Sequence, residues 1–155
     1  MREYMTHWRL LQRSVERIAA PVIEFGIGWG STPLLHLLCE GRQLLSVENK
    51  PLWFRKFVDL FRDGHEGRLV KVYSEIDIPK GVLLFSDEGP TEAARCETIA
   101  RAASADARAV IVHDADDHSI ARFLEENPFR YRFNDNCSPL TSVLSNTLDV
   151  EKELA

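Results

Sequence analysis

Five short apolar runs limit what this chain can become: "PVIEF", "LLSVE", "RLVKVY", "VLLFS" and "RAVIV". A strand that is apolar throughout is buried on both faces, and segments with apolar residues at helical spacing alternate with these runs. That alternation implies an α/β fold, a doubly wound parallel sheet with helices on both faces. Ligands on such sheets bind beyond the carboxyl ends of the strands. Those ends fall at 24–30, 48, 73–77, 86–89 and 113–117, where nearly every conspicuous polar residue sits.

The intervening segments read as helices. Trp8, Leu11, Val15 and Ile18 form the apolar face of the first, Thr6 is placed to cap it, and Pro21 ends it. In the second, Thr32 is the expected N-cap, Pro33 the first helical residue and Gly41 the stop. The third opens at Pro51, carries Phe54, Phe57, Val58 and Phe61 as its inner stripe, and closes at Gly64. Pro90 begins a fourth that runs to the vicinity of Ala103, and Ser119 caps a fifth carrying Ile120, Phe123 and Leu124. Pro128 stops it, and "FRYRF" and "LTSVLSN", joined by "NDNCSP", read as an antiparallel hairpin. With no repeat or linker, one domain over 1–155 is expected, an N-terminal amphipathic helix over 1–20 and a core over 21–155.

Composition excludes several classes. At 155 residues, 45% hydrophobic and 28% charged, the chain can bury a sizeable core. A net charge of −5 with scattered Arg and Lys disfavours nucleic acid or an anionic membrane as partner. Cys39, Cys96 and Cys137 are widely spaced and odd in number, which argues for a reducing compartment and against a disulfide framework or cysteine-rich zinc site. No apolar run approaches the roughly 20 residues that cross a bilayer, and no signal-peptide core opens the sequence, so a cytoplasmic location is expected.

The most specific stretch is "VIEFGIGWGST". Gly26, Gly28 and Gly30 alternate in a strand-to-helix turn, where a backbone without side chains can approach a ligand closely. The spacing is GxGxG, and Ser31 stands where the dinucleotide version GxGxxG has its last glycine. A diphosphate wants free N–H groups at a helix N-terminus, and Pro33 removes one. Glu48 ends the second strand 18 residues after Gly30, where a carboxylate can accept both hydroxyls of a ribose. The turn suits a bulky ribose-containing ligand, with an adenine nearby and no diphosphate.

These residues carry a resemblance. "VIEFGIGWG" resembles the first motif of class I S-adenosylmethionine-dependent methyltransferases, with Glu24 at the acidic position, and "LLSVENK" resembles their second, with Glu48 as ribose ligand. The likeness extends through the order of strands and helices to the closing hairpin. It implies a Rossmann-like, mostly parallel seven-stranded sheet whose C-terminal hairpin puts an antiparallel seventh strand between the fifth and sixth. It implies S-adenosylmethionine as cofactor, bound by Glu24, Gly26, Gly28, Gly30, Glu48 and Asp87, with Glu24 ordering the methionine end and 73–77 near the adenine.

The acceptor side is less specific. "LLFSDEGPTEAAR" lacks the Asn/Asp-Pro-Pro-Tyr motif of amino-directed DNA methyltransferases and looks more like the "VDGP" segment of small-molecule and sugar O-methyltransferases, with one added residue. Asp87, His113 and Asp114 are the catalytic candidates, His113 as general base because an imidazole titrates near about 6.5. Asp87 with Asp114 or Asp116 could offer oxygen ligands to a divalent cation such as Mg or Ca, as in catechol-type members, although the Asn those members use is absent. For Asp116, Asp117 and His118 the competing reading is a solvated loop favoured by the next helix dipole. His36 is expected to pack within its helix and His65 to face solvent in a turn. Trp29 either walls the cofactor or packs under the first helix, while Tyr4, His7 and Trp8 could form a lid.

The leading expectation is O-methylation of a small-molecule or sugar hydroxyl, with a homodimer compatible and the oligomeric state open. The alternatives are a non-catalytic S-adenosylmethionine-binding or scaffold protein on the same fold, and an NAD(P)-binding oxidoreductase.

Overall fold

The computed structural model describes residues 6–155. Its strands are β1 (Val22–Phe25), β2 (Leu44–Glu48), β3 (His65–Leu69), β4 (Leu83–Ser86), β5 (Ala109–Val112), β6 (Tyr131–Asn134) and β7 (Ser142–Ser145). They form one sheet in the order β3-β2-β1-β4-β5-β7-β6. The first five are parallel, and β7 runs antiparallel between β5 and β6. The expected mostly parallel sheet with a closing hairpin is therefore observed. The chain travels outward from β1 through β2 and β3, then returns to β4 on the other side of β1. The crevice between the ends of β1 and β4 is thus the switch point at which sheets of this kind bind ligands.

Helices cover both faces: α1 (Trp8–Arg17), α2 (Thr32–Leu38), α3 (Pro51–Phe54), α4 (Glu92–Ser104), α5 (His118–Glu126) and α6 (Val150–Glu153). Ile23, Phe25, Leu84, Val110 and Val112 share one core with Ile99 of α4 and Ile120 and Leu124 of α5. Their neighbours along the strands, Val22, Leu83, Phe85 and Ile111, point the other way, to Leu10, Leu11 and Val15 of α1, Leu35 of α2 and Val150 of α6. Alternation across a pleated strand gives each helix layer its own half of the core. Arg42 fixes the end of α1: its guanidinium donates to the carbonyls of Val15 (2.6 Å), Ile18 (3.0 Å) and Ala20. Carbonyls left open at a helix C-terminus find a cation there.

Several local expectations are corrected. The third helix is only Pro51–Phe54, followed by a 3-10 turn at Val58–Leu60. Phe57 turns inward against Trp29, with ring centroids 4.6 Å apart, whereas Phe61 packs on Phe54 at 5.2 Å. Val58 is exposed, so the four residues do not share one stripe. The third strand is "HEGRL" at His65–Leu69, not "RLVKVY". As an edge strand it has little apolar demand, and the apolar residues that follow leave the sheet to bury Val70, Tyr73 and Ile76 in the core. Gly64 serves the tight turn Arg62–His65, whose ends exchange two backbone hydrogen bonds. Helix starts also shift. His7, not Thr6, precedes α1; Thr91, not Pro90, caps α4 by accepting from the Ala94 N–H (3.2 Å); Asp117, not Ser119, precedes α5. A short helix not expected from the sequence, α6, follows the hairpin, with Asp149 accepting from the Lys152 N–H at 3.1 Å.

Ile111 is fully buried in β5, between β4 and β7. Ile111→Ala is expected to lower the unfolding free energy by about 2–5 kcal/mol in urea titrations. A loss below about 1 kcal/mol would show that this layer is not close-packed.

Candidate functional site

The glycine turn follows β1 directly and faces a cavity of about 1000 Å³ at the switch point. Gly26 has φ +89°, and a Cβ there would lie 2.5 Å from the Asp87 carbonyl oxygen. The first glycine is therefore required by the loop after β4, which presses on it, rather than by a ligand. A Cβ on Gly28 would meet nothing nearer than Ser31 Oγ at 3.8 Å, so this glycine keeps open the space it lines. The turn's N–H groups are largely consumed. Gly26 donates to the Val47 carbonyl (3.0 Å), Ile27 to Glu48 Oε2 (3.2 Å) and Gly28 to Thr32 Oγ1 (2.9 Å). The amides of Ser31 and Thr32 both donate to the Gly28 carbonyl. From outside, two indoles hold the turn: Trp8 Nε1 donates to the Gly30 carbonyl and Trp53 Nε1 to that of Ile27.

Two carboxylates brace it. Glu24 is 0% exposed and does not line the cavity; its Oε1 accepts from the hydroxyls of Ser31 (2.5 Å) and Thr32 (2.9 Å), and Oε2 from Ser46 (2.6 Å). Burial pushes its carboxyl up to about 7, and the three hydroxyls hold it from rising further. The Thr32 hydroxyl is thereby drawn beneath the turn, so it does not cap α2; Ser31 stands at the cap position, also without a capping side-chain bond. Glu48 is 4% exposed and does line the cavity. Its Oε1 accepts from the Asn49 and Lys50 amides at 2.8 and 2.9 Å.

Asp87, His113 and Asp114 converge from the ends of β4 and β5, with one potential ligand atom from each within 4.8 Å of the others. Arg95, on the inner side of α4, ties them together and was missed in the sequence. It lies 3.6 Å from Asp87 Oδ1 and 3.4 Å from Asp114 Oδ2, and it donates to the carbonyls of Glu88 and His113. A guanidinium between both carboxylates already supplies part of the positive charge that a divalent cation would bring. Asp116 stands apart from the cluster, and its Oδ1 accepts from the Leu140 N–H at 2.9 Å. Asp87 keeps 29% of its side chain exposed, yet its surroundings exclude enough water to push it up to about 7 against the pull of Arg95.

His113 is buried, and both ring nitrogens are engaged, Nδ1 with Thr141 Oγ1 (3.2 Å) and Nε2 with Asp114 Oδ1 (3.3 Å). Burial lowers its pKa. It does not line the cavity; His7 does, edge-on to His113 with ring centroids 4.5 Å apart. His7 and Trp8 both line the cavity, and Tyr4 lies outside the described residues. Trp29 is 61% exposed at the rim, its ring tilted against Phe57 and not under α1. Tyr73 and Ser74 line a separate pocket of about 160 Å³ behind Gly89, not the main cavity. His65, expected in solvent, is buried: its Nδ1 meets His36 Nδ1 at 3.0 Å and its Nε2 the Cys39 carbonyl at 2.9 Å. His36 packs beside it as expected. The three cysteines are unpaired, and no described helix is long and apolar enough to cross a membrane.

The folded protein holds the Glu24 proton more tightly than an unfolded chain, in which the carboxyl titrates at its ordinary 4.5. Its contribution to stability therefore falls as pH rises from 4.5 to about 7 and levels off above. Glu24→Gln removes this dependence. The unfolding free energy of the variant minus that of the wild type is expected to rise between pH 5 and 7, by on the order of 2–3 kcal/mol. A flat difference across that range in chemical denaturation would contradict the buried acid.

No protein-family model and no curated protein matches the sequence. Solved structures do match. The T. thermophilus 16S rRNA N2 G1207 methyltransferase (RsmC), in complex with AdoMet and guanosine, aligns with TM-score 0.61 at 19% identity, over 93% of this chain and 39% of that one. The N-terminal domain of human METTL16 in complex with SAH aligns with TM-score 0.58 at 12% identity, over 96% and 72%. The N-methyltransferase NodS from Bradyrhizobium japonicum WM9 aligns with TM-score 0.61 at 12% identity, over 92% and 94%. Strand order, closing hairpin and switch-point turn together give this chain the fold of the class I S-adenosylmethionine-dependent methyltransferases.

Proposed function

We propose that the protein binds S-adenosylmethionine in the switch-point cavity and methylates a hydroxyl of a small molecule or sugar. One observation carries the cofactor reading. The N–H groups that would cradle a diphosphate are spent inside the protein, while Glu48 and Asp87 line the cavity beside the turn. A diphosphate needs the reverse arrangement. A ligand bearing a sulfonium and an ammonium matches carboxylates, so the same observation weighs against NAD(P). The AdoMet and SAH complexes that share this fold support the reading.

Bound there, S-adenosylmethionine supplies an activated methyl group. The chain supplies position. Glu48 is the residue to hold the ribose hydroxyls, and Gly28 leaves room for the ligand beside the turn. Glu24 acts through the turn, by holding Ser31 and Thr32. Asp87 faces the cavity with a carboxyl near neutrality, suited to take the proton that an alcohol sheds on methylation. Arg95 and Asp114 hold the loops that carry Asp87 and His113. A scaffold role would show the same binding without turnover.

A second reading, a single-stranded polynucleotide acceptor, is favoured by the rim. Trp29 is exposed there, and Lys50, Arg55 and Lys56 lie exposed on the segment after Glu48. Bases stack on an indole while cations meet phosphates.

Calorimetry is expected to show binding of S-adenosylmethionine and none of NAD. Glu48→Ala should weaken that binding at least about tenfold. Affinity should rise from pH 6 to 8 as Asp87 gains its charge through about 7. Absence of binding at millimolar ligand would sink the proposal. For the second reading, a short RNA oligomer should bind more weakly at higher salt and at least about fivefold more weakly to Trp29→Ala. Equal binding by variant and wild type removes the polynucleotide reading.

A further inference from the structure

We infer that the methyl acceptor is a flat aromatic hydroxyl, a phenol, and not a sugar; this rests on the methyltransferase reading above and chooses within it. The sheet order sets the two ends of the cavity. Glu48 stands at the end of β2 and Asp87 just past β4, with β1 and its turn between them. Glu48 is the residue to hold the ribose, so the acceptor belongs at the Asp87 end. His7 and Trp8 come to the cavity wall from the start of α1. The His7 ring packs against Phe85 of β4 and His113 past β5, with centroids 5.3 and 4.5 Å away, which places this wall at the Asp87 end.

Neither wall residue offers a hydrogen bond to a ligand. Both His7 nitrogens are closed off, so what the ring shows the cavity is carbon. The one polar atom of the Trp8 side chain already donates to the Gly30 carbonyl. Two polar side chains remain at this end: Asp87, and Lys50, whose ammonium reaches across from β2 toward Gly89. These two can serve a single hydroxyl. An indole also seats the apolar face of a sugar, but the other hydroxyls of a sugar would leave water without partners, which is costly. A flat aromatic ring needs none and gains from edge and face contacts with other rings. The acidity of the hydroxyl points the same way, because the base at hand is a carboxylate. A phenol gives up its proton at about 10, an alkyl hydroxyl, like water, at about 16. As the phenol oxygen forms its bond to the methyl carbon and the carbon–sulfur bond breaks, the O–H proton passes to Asp87 and S-adenosylhomocysteine is released.

Three probes test this: naphthol, its saturated analogue decahydronaphthol, and methyl glucoside, each titrated by calorimetry into protein saturated with S-adenosylhomocysteine. Wild-type protein is expected to bind naphthol at least about tenfold more tightly than decahydronaphthol, and methyl glucoside more weakly than either. Trp8→Leu takes an aromatic ring off the wall and should shrink the preference for naphthol to less than about threefold. A ratio at saturating S-adenosylhomocysteine is read, so a change in affinity for that ligand does not enter it. In wild-type protein, nuclear Overhauser effects are expected between naphthol and the Trp8 indole protons. This measurement decides the matter if Trp8→Leu does not fold. With S-adenosylmethionine present, naphthol should be methylated faster than methyl glucoside. Equal affinity of wild type for naphthol and decahydronaphthol, an unchanged preference in Trp8→Leu, absence of the Overhauser effects, or the reverse order of turnover would overturn the aromatic acceptor. Failure of wild type to bind S-adenosylhomocysteine would instead overturn the cofactor reading.

Discussion

Glu24 lies beneath the glycine turn with no exposure to solvent, and three hydroxyls converge on it. A buried carboxylate is tolerated only when its oxygens are met. Here the partners come from β2 and from the start of α2, so satisfying one acid locks strand, turn and helix together. The Thr32 hydroxyl is the pivot, donating to Glu24 while accepting from the Gly28 amide. The turn's shape, the loss of its free N–H groups and the open space beside Gly28 all follow from that arrangement.

A second network holds the other wall. Arg95 reaches the loops after β4 and β5 through two carboxylates and two carbonyls. With His113 fixed by Thr141 on the hairpin and by Asp114, the far side of the cavity is a continuous polar assembly. Networks of this kind rigidify when every member is satisfied.

The strands that were legible in the sequence are the central ones. β1, β2, β4 and β5 are covered on both faces, so burial wrote continuous apolar runs into them, and the residues at their ends fell where expected. β3 is an edge strand and its "HEGRL" carries no such signal. The aromatic residues after Pro51 had helical spacing, but Trp53 and Phe57 are engaged with the glycine turn, a tertiary demand that local periodicity does not encode. His65 was misplaced because its partner His36 is distant in sequence. Nothing in the local sequence of α4 sets Arg95 apart. Only the meeting of several acidic loop ends, known once strands are ordered, makes a cation on that helix face necessary.

The two indole clamps and the rim tryptophan have one more consequence. The chain contains three tryptophans, Trp8, Trp29 and Trp53, and all of them line the same cavity. Two donate to the backbone of the turn, and the third rests on Phe57 at its mouth. The protein's tryptophan emission therefore originates from the walls of one site. Its colour and intensity track the polarity of that single cavity, so the molecule carries its own optical gauge of whether the space is filled with water or with an aromatic nucleoside.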